Sequence, residues 1–144
     1  MPALKRSKAV ELFWKAHRWV YEKTGGKIGA KVVGMPVLLL TTTGRKSGRP
    51  RTVALTYFED DGRFVVIASY LGEPRHPSWW LNLTADPHAT VQIGGRTIAV
   101  RAREAEGEER DRLWRRAVEL MADYAVYQER TSRRIPVVVL EPVE

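Results

Sequence analysis

Cysteine is absent from the 144 residues, which excludes disulfides, thiolate nucleophiles and zinc–thiolate sites. The three histidines, His17, His76 and His88, are scattered, and no two have the spacing of metal ligands; no metal is expected. There is no Gly-x-Gly-x-x-Gly and no Walker sequence, so neither nucleotide fingerprint applies. Ser69 and Ser78 lack the strand–elbow setting of a hydrolase nucleophile. No uncharged apolar run approaches membrane-spanning length. The apolar residues between Val10 and Val20 are broken by Lys15, His17 and Arg18, so this end reads as carrying no signal peptide. The side chains alone therefore offer no evident nucleophile–base pair.

Apolar residues make up 44% of the chain, enough for one domain with a real core and too many for a disordered tail. The charge is unevenly placed. Residues 1–51 hold 12 Lys/Arg against 2 Asp/Glu, whereas residues 52–144 hold 12 against 15, so the net +7 belongs to the N-terminal third. Nucleic acid, a membrane surface or a phosphorylated small molecule are the anionic partners that fit such an excess.

Ala3 to about Lys23 reads as an amphipathic helix, with Val10, Phe13, Trp14 and Val20 on an apolar side and six cations elsewhere. Thr24-Gly25-Gly26 ends it, and residues 25–35 form a glycine-rich connection. Strands are predicted over 36–43, 52–58, 63–69, 88–93, 96–102 and 135–140. Asp-Gly at 61–62 and Gly-Gly at 94–95 make two of the hairpin turns. Helices are predicted over 78–85 and from Glu106 through the stripe Leu113, Ala117, Leu120 and Met121, with Tyr124 and Tyr127 just beyond. Six strands joined mostly by short turns predict an α+β fold, mainly β: a small antiparallel barrel with helices around it, as one domain over 1–144 in which 1–35 are the N-terminal helix and loop.

The stretch Leu38-Leu39-Leu40-Thr41-Thr42-Thr43-Gly44-Arg45-Lys46-Ser47-Gly48-Arg49-Pro50-Arg51 organises this chain. It reads as a strand, then a turn with four cations in seven residues, then a second strand. Like charges this close repel one another unless an anion neutralises them, and glycines let backbone N–H groups approach a ligand. The turn reads as a phosphate or polycarboxylate clamp, with a solvated basic hairpin as the alternative. A cation clamp without catalytic side chains suits a protein that uses a cofactor's chemistry. Trp79, Trp80, Tyr124 and Tyr127 could wall a flat ring, or could be core.

Those residues resemble the signature of the deazaflavin (F420)-dependent nitroreductase family. The resemblance lies in 38–51, in Pro77-Ser78-Trp79-Trp80-Leu81-Asn82-Leu83 with Ala85-Asp86-Pro87, and in Tyr124-x-x-Tyr127 leading to Arg134-Ile135-Pro136. It runs from about residue 10 to the end, with the motifs in family order. It implies a split β-barrel of the flavin/deazaflavin oxidoreductase type that binds coenzyme F420, an 8-hydroxy-5-deazaflavin with a phosphodiester and a polyglutamate tail. The implied activity is hydride transfer from the reduced coenzyme to a quinone, enone or nitroaromatic acceptor. By that resemblance Arg45, Lys46, Ser47 and Arg51 meet the phosphate and tail, and Gly48 allows backbone approach. Ala54, Leu55, Ile67 and Ala68 line the ring, Trp79 and Asn82 lie along the groove, and Ser69, Tyr124 and Tyr127 face the acceptor. Nitroreductase-type members often carry Pro-Leu-Tyr where this chain has Ala54-Leu55-Thr56, and a further tyrosine where Met121-Ala122-Asp123 stands. Those departures bear on the acceptor rather than the cofactor.

The alternatives are a non-catalytic carrier of F420, a fatty acid, haem or another cofactor on the same fold, and a nucleic-acid binder, for which no motif is recognised. Flavin mononucleotide suits the clamp less well than F420. The expected setting is cytoplasmic, with the N-terminal helix able to rest on the inner face of the cell membrane.

Overall fold

The computed structural model describes residues 10, 11, 14, 15, 18, 31, 32 and 35–143. The described strands are β1 (Lys31–Val32), β2 (Met35–Thr43), β3 (Pro50–Thr56), β4 (Phe58–Asp60), β5 (Arg63–Ile67), β6 (His88–Ile93), β7 (Arg96–Glu104) and β8 (Val137–Pro142). The helices after residue 35 are α1 (Ser78–Ala85), α2 (Gly107–Leu120) and α3 (Asp123–Glu129). Val10, Glu11, Trp14, Lys15 and Arg18 are also helical, as expected for 3–23; the rest of that segment and most of the glycine-rich connection lie outside the described residues.

All pairings are antiparallel, in the order β1-β2-β6-β7-β8-β5-β4, with β3 also on β2. The hairpins β2–β3, β4–β5 and β6–β7 obey the sequence order. The sheet closes through neighbours that do not: β6 lies beside β2, and β8 lies between β7 and β5. At the Asp61-Gly62 turn both residues have positive φ, 52° and 78°, as a tight primed turn requires.

Two expected elements differ. The run 52–58 divides at Tyr57, so that Pro50–Thr56 pairs β2 while Phe58–Asp60 pairs β5. Tyr57 sits buried at the crossing, its N–H donating to Pro36 O at 3.0 Å and its ring edge-on to Phe64. A single apolar run thus serves two parts of the sheet. Lys31–Val32, expected in the connection, pair with Pro36 and Met35.

Alternation along β5 and β8 makes two cores, because successive side chains point to opposite faces. Phe64, Val66, Val138 and Leu140 enter the barrel interior with Leu38, Leu40, Trp79, Trp80 and Leu83. Val65, Ile67, Val137 and Val139 face outward and are covered by Leu113 and Ala117 of α2 and Tyr124 and Tyr127 of α3. Both tryptophans of α1 are therefore core side chains, each 7% exposed.

Candidate cofactor and substrate site

The β2–β3 connection closes on itself. Gly44 N–H donates to Arg49 O and Gly48 N–H to Gly44 O, each at 2.8 Å. A Cβ on Gly44 would lie 3.1 Å from the Arg49 carbonyl and 2.7 Å from Ser47 Oγ, so a side chain here would force Ser47 to rotate and crowd the turn. Gly48 instead supplies a left-handed backbone, φ 71°, in open space. The loop leaves Arg45, Lys46, Ser47 and Arg51 exposed at the rim of a cleft of about 720 Å³, whose lining also includes Arg18, Thr52, Ser78, Trp79 and Asn82.

Asn82 fixes one wall. It is 3% exposed, and its Oδ1 accepts from the Arg45 backbone N–H (3.2 Å) and from Arg45 Nη1 (2.9 Å). Its Nδ2 donates to Thr42 Oγ1 at 3.0 Å. This buried amide joins α1 to β2 and aims Arg45. Helix α1 begins at the cleft with no acidic residue in its first turn and no side-chain cap, an arrangement in which the helix dipole favours an anion. In the sequence Arg18 is only one of the cations of the N-terminal helix. Its Nη1 donates to Thr52 O at 2.5 Å, which brings a fourth cation to the cleft. No signal in the sequence joins residue 18 to residue 52, because the contact exists only once the chain is folded. With four cations and no acidic residue among the described residues of its lining, the cleft fits a phosphate bearing a polyanionic tail.

The other expected site residues lie away from this lining. Leu55, with Val53, packs against the barrel interior, and Ala54 packs against Val37 and Leu39. Ala68 is in the interior cluster and Ile67 in the outer one. Ser69 is half-buried at the start of a short 3₁₀ turn, Tyr70–Gly72. Tyr124 and Tyr127 are 4% and 3% exposed, and their rings meet edge to face, with centroids 6.3 Å apart. Thr56 Oγ1 and Tyr124 Oη share a hydrogen bond of 2.9 Å. Burial pushes the Tyr124 hydroxyl up to about 12, against the smaller lowering effect of Thr56. At neutral pH it is a hydrogen-bond donor that gives up its proton reluctantly.

Strand β3 connects the two places. Thr52 and Val53 line the cleft while Thr56 holds Tyr124, and three residues of strand span about 10 Å. Gly48 and Arg49 belong to the turn and do not line the cleft.

The F420H(2)-dependent quinone reductase family model matches residues 13–142. An F420H(2)-dependent quinone reductase of Mycobacterium tuberculosis is 42% identical over 141 residues, covering 95% of this chain and 94% of that protein. The solved structure of an F420-H2 dependent reductase, FDR-A, is 47% identical with a TM-score of 0.68, covering 74% of this chain and 94% of its own. A structure described as a domain-swapped dimer is 40% identical with a TM-score of 0.70, covering 94% of this chain and all of its own. Matched over nearly its whole length and sharing the split-barrel fold, the chain belongs to the F420H(2)-dependent quinone reductase family.

Proposed function

We propose that this chain holds F420 by its tail in the Arg45 cleft and reduces a quinone-type acceptor at the Tyr124 end of β3. The carrying observation is the gathering of Arg18, Arg45, Lys46 and Arg51 on one cleft beside Trp79, with no acidic residue among the described residues lining it. Arg45, held by Asn82, and Lys46 are the anchors for phosphate and tail carboxylates, with Ser47 and Arg51 beside them. Such charge-assisted contacts are the stronger hydrogen bonds. Ala54, Leu55, Ile67 and Ala68 fall in three different apolar clusters, so they line the ring as strand segments rather than as one wall of side chains, and Trp79 and Asn82 border the groove.

Bound reduced F420 supplies the hydride. A quinone becomes a hydroquinone by gaining one hydride and one proton, so negative charge develops on its oxygen before the proton arrives. Ser69, Tyr124 and Tyr127 are the candidate hydroxyls for donation to that oxygen. Tyr124, with its elevated pKa, acts by hydrogen bonding, and the proton comes from Tyr127, Ser69 or water. Thr56, where relatives of the nitroreductase type often carry tyrosine, orients Tyr124 through its 2.9 Å hydrogen bond.

Binding measured against both F420 and flavin mononucleotide, followed by stopped-flow oxidation of the bound reduced coenzyme with a menaquinone analogue, tests the proposal. The expected result is preference for F420 and rapid oxidation. F420 binding without turnover on quinone, enone or nitroaromatic acceptors makes the chain a carrier instead.

The finer proposal is peripheral association with the membrane through residues 3–23, which suits a lipid-soluble quinone. It rests on Phe13, Trp14 and Trp19 together with six cations in that segment. No described helix is long and apolar enough to cross a membrane. Co-sedimentation with anionic vesicles at low and high salt tests it; absence of binding at low salt leaves the helix a cover for its own domain.

A further inference from the structure

Arg133 lies in the connection between α3 and β8, outside every motif that points to the cofactor. Its guanidinium has no carboxylate partner among the described residues. It donates instead to four neutral acceptors on one stretch of chain: Nη2 to Ser69 O at 2.7 Å, Nε to Glu73 O at 2.9 Å, and Nη1 both to Ala68 O at 3.2 Å and to His76 Nδ1 at 3.1 Å. Four of the five N–H groups of this rigid planar fork are thus spent on residues 68–76. Because Arg133 can only donate, His76 Nδ1 must be the accepting nitrogen and the ring must be neutral. Burial and the adjacent Arg133 charge both lower the His76 pKa, against a smaller opposing effect of Glu104.

The stretch needs holding. Tyr70, Leu71 and Gly72 have φ of 46°, 55° and 80°, and two consecutive non-glycine residues in the left-handed region are strained. The other side of the stretch is tied to α3. Arg130 Nη1 donates to Leu71 O at 3.2 Å and its guanidinium stands 5.5 Å from the Tyr127 ring centre. Gly72 packs so tightly that a Cβ there would lie 2.8 Å from both Arg130 Cβ and Tyr127 O.

We infer that Arg133 is a positioning residue for the acceptor end of the site: by gripping the backbone of residues 68–76 it sets Ser69 relative to the tyrosines of α3. The inference rests on the proposal that Ser69, Tyr124 and Tyr127 meet the acceptor. Lysine, a point cation with no planar fork, cannot reach four acceptors at once.

The test is Arg133→Lys, read in two ways. Hydrogen exchange of the F420-free protein reports on the turn itself, whose internal bonds are Gly72 N–H to Ser69 O (2.9 Å) and Glu73 N–H to Tyr70 O (3.1 Å). Stopped-flow oxidation by a menaquinone analogue reports on hydride transfer, and F420 affinity is measured separately. The expected result is faster exchange at Gly72 and Glu73 with hydride transfer slowed on the order of tenfold to a hundredfold, as a small misplacement at a reacting centre produces. F420 affinity stays unchanged, because the cleft is untouched, and NMR shows the His76 pKa rising. His76→Ala removes one of the four acceptors and produces a smaller change in the same direction, which keeps the test available if Arg133→Lys does not fold. Unchanged exchange in the variants overturns the role of Arg133 and leaves the site proposal standing. Faster exchange with wild-type hydride transfer means that residues 68–76 are not at the acceptor end, which overturns the inference together with the placement of Ser69.

Discussion

At the Pro50 end of β3, Arg45, Lys46 and Arg51 are exposed around an open cleft; at the Thr56 end, a buried tyrosine shares a hydrogen bond with the half-buried Thr56. The first end is made from one short stretch of sequence, with Asn82 and Arg18 added from afar. The second is assembled from four segments: Thr56, the 68–76 stretch, α3 and the connection holding Arg133. An exposed cation cluster can recognise a charged tail at long range but cannot control a reaction, because water screens it. A buried polar pair cannot attract anything from solution, but its hydrogen bonds are stronger and its geometry is fixed. In the proposed function, capture and chemistry therefore belong to different ends of the same strand.

Substitutions at one end should leave the other unaffected. The largest expected effect is on capture. Arg45→Ala combined with Lys46→Ala removes two charge-assisted contacts of about 1.5–3 kcal/mol each and weakens F420 binding by on the order of a hundredfold or more. Thermal stability should stay near wild type, since both side chains are exposed. Fluorescence titration checks the first and a melting curve the second; unchanged affinity would remove the cleft from the proposal.

The converse substitution is at the buried end. Tyr127→Phe or Tyr124→Phe should slow hydride transfer by on the order of a hundredfold, the usual effect of losing one such donor, with F420 affinity constant. If both variants oxidise the coenzyme at the wild-type rate, the tyrosines are packing residues and the contrast between the two ends loses its chemical half.

Asn82→Ala should show both kinds of effect, because this side chain is buried yet serves the exposed end. It orphans Thr42 Oγ1 and the Arg45 backbone N–H, so stability falls by about 1–3 kcal/mol and F420 binding weakens, while single-turnover hydride transfer at saturating F420 is preserved. A variant that loses only stability would mean that Arg45 finds its own way to the ligand.

The smallest effect is on pH dependence. The folded pKa of His76 is depressed below its ordinary value of 6.5, so in the acid range the unfolded chain binds this proton more readily than the native one. Its contribution to stability is complete above about pH 6.5 and is lost as pH falls through that value toward the folded pKa. Denaturant midpoints between pH 7.5 and about 5 should fall more steeply in wild type than in His76→Ala; equal slopes would detach His76 from the Arg133 network.

Much of this molecule was legible in its sequence. The strand–cationic turn–strand of 38–51 was clear because hydrophobic run, glycines and cations are contiguous. The helix over 78–85 was legible at both ends because Pro77 and Asp86-Pro87 bracket it. The division of 52–58 at Tyr57 was not, since nothing local separates one apolar run that pairs twice from one that pairs once. Arg18 and Arg133 were equally hidden. Each donates to backbone carbonyls far away in the chain, and a carbonyl is present at every position, so the sequence marks no partner for them.

The sequence by itself determined the charge of the cleft, the β-rich fold class and the family, because these depend on residue types and on short-range spacing. The tertiary structure decided which of those residues share a site. Strand order put β8 between β5 and β7, which carried Arg133 to the 68–76 stretch. The packing of α3 over the outer face of the sheet turned two tyrosines that could have been surface residues into buried hydroxyls, one of them held by Thr56. Burial raises the energy of the charged form of each such group, and burial is a property of the assembled layers, not of any short stretch of chain.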